Sequence, residues 1–134
     1  MVVDMFEITL LKHFFGLKND IRIIFTYASP INSCYTKYRT DNILDKIETN
    51  LISMDNNYLI MGDLNGRTRL GDDFVRDSTD KYTPINNSVY SKDENINRMN
   101  FDNKPIDEQG KKILDLCKSV SCRILNDRTP SDRI

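Results

Sequence analysis

Tyr58-Leu-Ile-Met-Gly-Asp-Leu-Asn65 is the stretch on which the fold turns. A short apolar run ends abruptly in Gly62-Asp63-Leu64-Asn65. An apolar run bounded by glycine and polar residues predicts a short buried strand. Side chains at i and i+2 of a strand share a face. Asp63 and Asn65 are therefore expected to present a carboxylate and a carboxamide together at the strand end. That pair suits one bound phosphate and its metal. Phosphodiester cleavage needs a base for water and a neutral donor for the phosphate oxygens.

Upstream, Ile21-Arg-Ile-Ile-Phe-Thr-Tyr27 is β-branched and aromatic, which predicts a second strand, ended by Ala28-Ser-Pro30. Between the two strands, Tyr38, Ile43, Leu44, Ile47, Leu51 and Met54 recur at steps of three and four. The spacing predicts an amphipathic helix within Tyr35 to Met54. Nearer the start, Phe6 to Leu11 reads as a strand, and His13 to Asp20 as a turn region closed by Asn19-Asp20. Downstream, Gly66 to Pro105 shows no sustained period, so this polar stretch reads as a long loop that is either functional or poorly ordered. Asp107 can cap a helix carrying Ile113, Leu114, Leu116, Cys117 and Val120 on one side. Cys122-Arg-Ile-Leu125 reads as a short strand, with a turn from Asn126. The order β, β, α, β, long loop, α, β favours a layered α/β fold.

The 134 residues are the length of one domain. A net charge of −1 gives no global field that would attract nucleic acid. Contact with nucleic acid would rest on local lysines and arginines. Cys34, Cys117 and Cys122 have no zinc-type spacing, and Cys117 reads as a buried free thiol, which points to a reducing compartment. No signal peptide and no run of transmembrane length is seen, so no membrane partner is expected. The sequon Asn86-Asn-Ser88 is read as chance.

Four blocks carry a resemblance. Asp20 to Pro30 with Asn32-Ser33 is the first, and Met61-Gly-Asp-Leu-Asn-Gly-Arg-Thr68 the second. Asp72-Asp-Phe-Val75 is the third. Arg98, Asp102, Gly110 to Cys117, Arg123 to Asn126 and Arg128 make the fourth. In this order they resemble the endonuclease/exonuclease/phosphatase superfamily, whose fold is the DNase I-like four-layer α/β sandwich. The chain is most similar there to the endonuclease domain that precedes reverse transcriptase in non-LTR, LINE-like retrotransposons. The resemblance covers roughly Ile8 to Asp132 and implies that residues 1–134 are the central part of one such domain, with the long polar loop at about 66–105. Two positions depart from the pattern: Asp107 stands where the family usually has Asn, and Asn126-Asp-Arg128 where it has Asn-Gly-Arg. The family's metal-binding Glu, and an Asn near it, are expected before residue 1. Its Ser-x-x-Asp and Ser-Asp-His motifs are expected after residue 134. Both ends therefore read as cut from something larger, and little or no activity is expected of the chain alone.

The resemblance implies that Asp63 orients or deprotonates the attacking water, that Asn65 binds the phosphate, and that the Tyr27 hydroxyl points at the scissile phosphate. The plainer alternatives are a solvated loop carboxylate, an Asx-turn residue before Gly66, and a core tyrosine with a wet hydroxyl. Arg67 and Arg98 are candidates for backbone phosphate contacts, with ordinary surface charge as the alternative. Asp72 and Asp73 read as a solvated acidic turn rather than a metal site, and His13 as structural. The implied cofactor is Mg2+ or Mn2+, and the implied partner of a complete domain is DNA. The parent polypeptide would continue into reverse transcriptase and act in the nucleus. The function this implies is nicking of DNA to free a 3′-hydroxyl for primed reverse transcription. A phosphatase of the same fold and a catalytically dead transposon-derived remnant are the alternatives.

Overall fold

The structure is a computed structural model that describes residues 5–34, 42–52, 57–75, 98–100 and 102–126. The chain divides into two compact units, Met1–Asn65 and Gly66–Ile134. The described residues form a mixed α/β structure of three strands and three helices.

The first unit holds the sheet. Strand β1 (Met5–Leu10) pairs antiparallel with β2 (Ile21–Tyr27), and β2 pairs parallel with β3 (Tyr58–Asp63). The strand order is β1-β2-β3. A one-turn helix, α1 (Lys12–Phe15), connects β1 to β2 where the sequence predicts only a turn. Asp20 holds that connection by accepting from the Lys12 amide at 2.8 Å. Parallel neighbours need a long crossover, and α2 (Ile43–Ile52) lies within it. Asn42 starts α2 by accepting the Leu44 N–H on its side-chain oxygen at 3.0 Å. The outer parts of the predicted helix, 35–41 and 53–54, lie outside the described residues.

The strands' two faces differ. Ile24 and Thr26 point to one face and are buried, as are Leu44, Ile47 and Leu51 of α2. These apolar side chains, with Ala28, are the core of the unit. By register the opposite face carries Phe6, Ile8, Leu10, Ile21, Ile23, Phe25, Leu59 and Met61. Phe6 stacks on its cross-strand partner Phe25 at 4.7 Å between ring centroids. Phe6, Ile8 and Met61 on this apolar face are nevertheless exposed.

The second unit is built on α3 (Glu108–Ser119), which buries Ile113, Leu114, Leu116 and Cys117 as the spacing predicts. Asp107 caps it, accepting the Gly110 N–H at 2.7 Å. The same carboxylate oxygen accepts the Arg67 N–H at 3.1 Å, so one side chain fixes both the helix start and the loop beside it. Gly110 is required here, since a Cβ would run into the Arg67 carbonyl.

The strand expected at Cys122 to Leu125 is not formed: the segment is irregular. Its backbone bonds to a side chain instead of a neighbouring strand. The Ile124 N–H donates to the Asp73 carboxylate at 2.8 Å. In the stretch expected to be loop, residues 66–75, 98–100 and 102–105 carry no helix or strand, while 76–97 and 101 lie outside the described residues.

Candidate functional site

The parallel pairing of β2 and β3 places Tyr27 directly opposite Asp63, the last residues of their strands. Partners in register point to the same side of a sheet. A phenol and a carboxylate thus stand together, exposed, at the carboxyl edge of two parallel strands. Ligands of open α/β sheets bind at that edge. The Ala28 N–H closes the edge by donating to the Asp63 carbonyl at 2.8 Å.

Gly62 makes this edge possible. Its φ is +136°, and a Cβ there would collide with the Thr26 carbonyl across the ladder. Only glycine allows the two backbones to approach so closely just before Asp63. Thr26 is buried at this point, and its hydroxyl has no hydrogen-bond partner among the described residues.

Asn65 departs from expectation. The strand ends at Asp63, and Asn65 has φ of 47°, so the two are not i and i+2 on one strand. Asp63 forms an Asx turn instead, accepting the Asn65 N–H on its carboxylate at 2.8 Å. The turn swings the Asn65 side chain back across the edge, where its Nδ2 donates to the Ala28 carbonyl at 3.0 Å. Asn65 thereby ties the end of β3 to the residue after β2. Tyr27, Asp63 and Asn65 are brought together, but by strand register and a turn rather than by strand periodicity.

Arg67 and Arg98 belong to the second unit. The Arg67 guanidinium pairs with Asp102 at 3.4 Å and stays half exposed. Arg98 is a loop clamp: its guanidinium donates to the Thr68 hydroxyl at 3.0 Å and to the carbonyls of Thr68, Arg69 and Gly71.

Asp73 overturns the reading of Asp72-Asp73 as a solvated acidic turn, because Asp73 is only 1% exposed. Burying a carboxylate is costly unless its oxygens are bonded. The Ile124 amide bonds one carboxylate oxygen, while the Arg123 guanidinium donates to the backbone carbonyl of Asp73 at 2.7 Å and lies over the Phe74 ring at 5.3 Å. The usable signal is Phe74-Val75 directly after the acidic pair, since an apolar run beside a carboxylate pulls it inward.

Among the described residues no group of three or more His, Cys, Asp or Glu side chains is arranged to hold a metal ion. Among the described residues Asp63 is the carboxylate at the strand edge, between Tyr27 and Asn65. Among the described residues no helix is long and apolar enough to cross a membrane. No protein-family model, curated protein or solved structure matches the chain.

Proposed function

We propose that this chain is part of a Mg2+-dependent phosphodiesterase of the DNase I-like kind, a DNA-nicking endonuclease of the retrotransposon type. The observation that carries the reading is the register of Tyr27 with Asp63 at the carboxyl edge, closed by Asn65 on Ala28. The four sequence blocks supply the family. Support for the sandwich comes from the half-exposed apolar face of the sheet. Such a face is what a second sheet covers in aligned sheet packing.

The roles follow from the side chains. Asp63 is the base or positioning group for water, and its exposure leaves it open to solvent and substrate. Its carboxylate is held by the Asn65 amide, which fixes its direction. The Tyr27 hydroxyl and the second amide hydrogen of Asn65 are neutral donors for phosphate oxygens. Mg2+ or Mn2+ is the expected cofactor, supplying charge stabilisation on the phosphate. The described residues offer it one carboxylate and not a ligand set, so no step is derived through it. DNA is the proposed substrate, reverse transcriptase the proposed neighbour in the polypeptide, and the nucleus the proposed place of action.

The test is nicking of supercoiled plasmid by the chain extended with the family's Glu block and Ser-Asp-His block. Mg2+-dependent nicking that disappears in Asp63→Asn supports the reading. Release of phosphate from small esters without nicking would move the assignment to a phosphatase of the same fold. Neither activity from a folded protein would make the chain a remnant.

A further inference from the structure

The end of α3 brings two thiols together by a specific backbone device. Ser121 takes φ of 54°, the left-handed conformation that ends a helix. The Cys122 N–H then donates to the Cys117 carbonyl at 2.9 Å, the six-to-one bond of a Schellman motif. The Val120 N–H continues the helical pattern onto Leu116 at 3.1 Å. In this motif the residue after the left-handed turn commonly makes an apolar contact with the residue whose carbonyl it caps. Here both positions are cysteine. Their side chains are hydrogen-bonded to each other, Cys117 buried and Cys122 half-buried.

We propose that Cys117 and Cys122 are a redox-modifiable dithiol that closes to a disulfide under a peroxide oxidant. Geometry permits the bond. Through the 2.9 Å N···O contact the Cα atoms are at most about 6.8 Å apart by standard backbone dimensions, within the range disulfides span.

The pair is also asymmetric. The bond to Cys117 holds the Cys122 thiol below its ordinary pKa, against burial and the Asp73 carboxylate and with help from Arg123. The same bond and burial push the Cys117 thiol upward. Cys122 is half-buried where Cys117 is buried, so it is the thiol a peroxide reaches, and it is the nucleophile. Its thiolate attacks one peroxide oxygen, the O–O bond breaks, and hydroxide leaves and takes up a proton to become water. The resulting sulfenic acid is attacked by the Cys117 sulfur. The S–O bond breaks, the S–S bond forms, and the hydroxyl departs as a second water with the Cys117 proton. Two electrons pass from the dithiol to the peroxide.

The disulfide would lock the C-terminal turn of α3. It would also fix the segment beginning at Cys122, which carries Arg123 and Ile124 onto Asp73.

The experiment treats the full chain with hydrogen peroxide, alkylates remaining thiols, and maps peptides by mass spectrometry. Exposed Cys34 serves as the internal reference. The expected result is a Cys117–Cys122 link with Cys34 left alkylatable, formed at least about tenfold faster in the folded chain than in urea. Links to Cys34 would overturn the proposal. So would separate over-oxidation of Cys117 and Cys122 without a link, or a linking rate unchanged by urea. A second arm needs no oxidant: in brief iodoacetamide labelling at neutral pH, Cys122 should react before Cys117, and the reverse order would overturn the assigned roles.

Discussion

Gly62 stands where two backbones meet, and its side of the ladder has no room for a methyl group. A Cβ at this position faces the Thr26 carbonyl, and φ of +136° is itself unfavourable for any L side chain. Gly62→Ala should destabilise the fold by at least about 3 kcal/mol, from backbone strain and overpacking together. A loss of unfolding free energy in urea smaller than a third of that would mean the edge relaxes freely. Asp63 calls for a different substitution. Its carboxylate both faces solvent and accepts the Asn65 amide. Asp63→Asn keeps an acceptor for the turn while removing the negative charge. It should leave stability within about 0.5 kcal/mol and abolish nicking in the extended protein. Equal losses of stability and activity would reduce Asp63 to a turn residue. At this scale the sequence identifies which residues gather but not how. Asn65 has no strand signal after Gly62-Asp63, and a left-handed asparagine following an Asx turn looks the same in sequence as a strand continuation.

The elements that are legible in the sequence are those with their own period. β2 is β-branched or aromatic at every position but Arg22, and α2 and α3 repeat apolar residues every three or four positions, so each forms where the pattern lies. Asp107 is equally legible, because a capping carboxylate acts on amides only a few residues away. Cys122 to Leu125 is misread for the opposite reason. Its apolar residues suit a strand, but its amide partner is Asp73, about fifty positions earlier, and no local pattern encodes that. The same contact makes a prediction. Asp73→Ala leaves the half-buried Ile124 amide without its acceptor and should cost about 1–3 kcal/mol. Asp73→Asn, which retains a carbonyl oxygen, should recover part of the loss. If alanine and asparagine are equally harmless in urea denaturation, the segment is not held by Asp73. In the first unit, Ile47 is fully buried, and Ile47→Ala should cost about 2–5 kcal/mol by the cavity it leaves.

For the molecule as a whole, charge decides how any polyanion is met. The chain carries 19 basic and 20 acidic side chains, so its net charge of −1 slightly repels DNA. Nonspecific DNA binding rests on lysines and arginines that displace counterions. The arginines named by the sequence are poorly placed to supply it. Arg98 is wrapped by loop carbonyls, and Arg67 is paired with Asp102. The exposed edge at Tyr27 and Asp63 adds a negative charge of its own. A phosphate can approach that edge only if a cation neutralises the repulsion between it and the carboxylate. If the proposed function is correct, DNA binding is therefore metal-dependent and not simply basic. Fluorescence anisotropy of a labelled duplex should show affinity at least about tenfold higher with Mg2+ than with EDTA at constant ionic strength. Asp63→Asn should shrink that difference, because it removes the negative charge that the cation offsets. Binding that is equal in EDTA and falls steeply with salt would place the DNA contacts on lysines and arginines away from this edge. The Tyr27–Asp63 pair would then lose its claim to the phosphate.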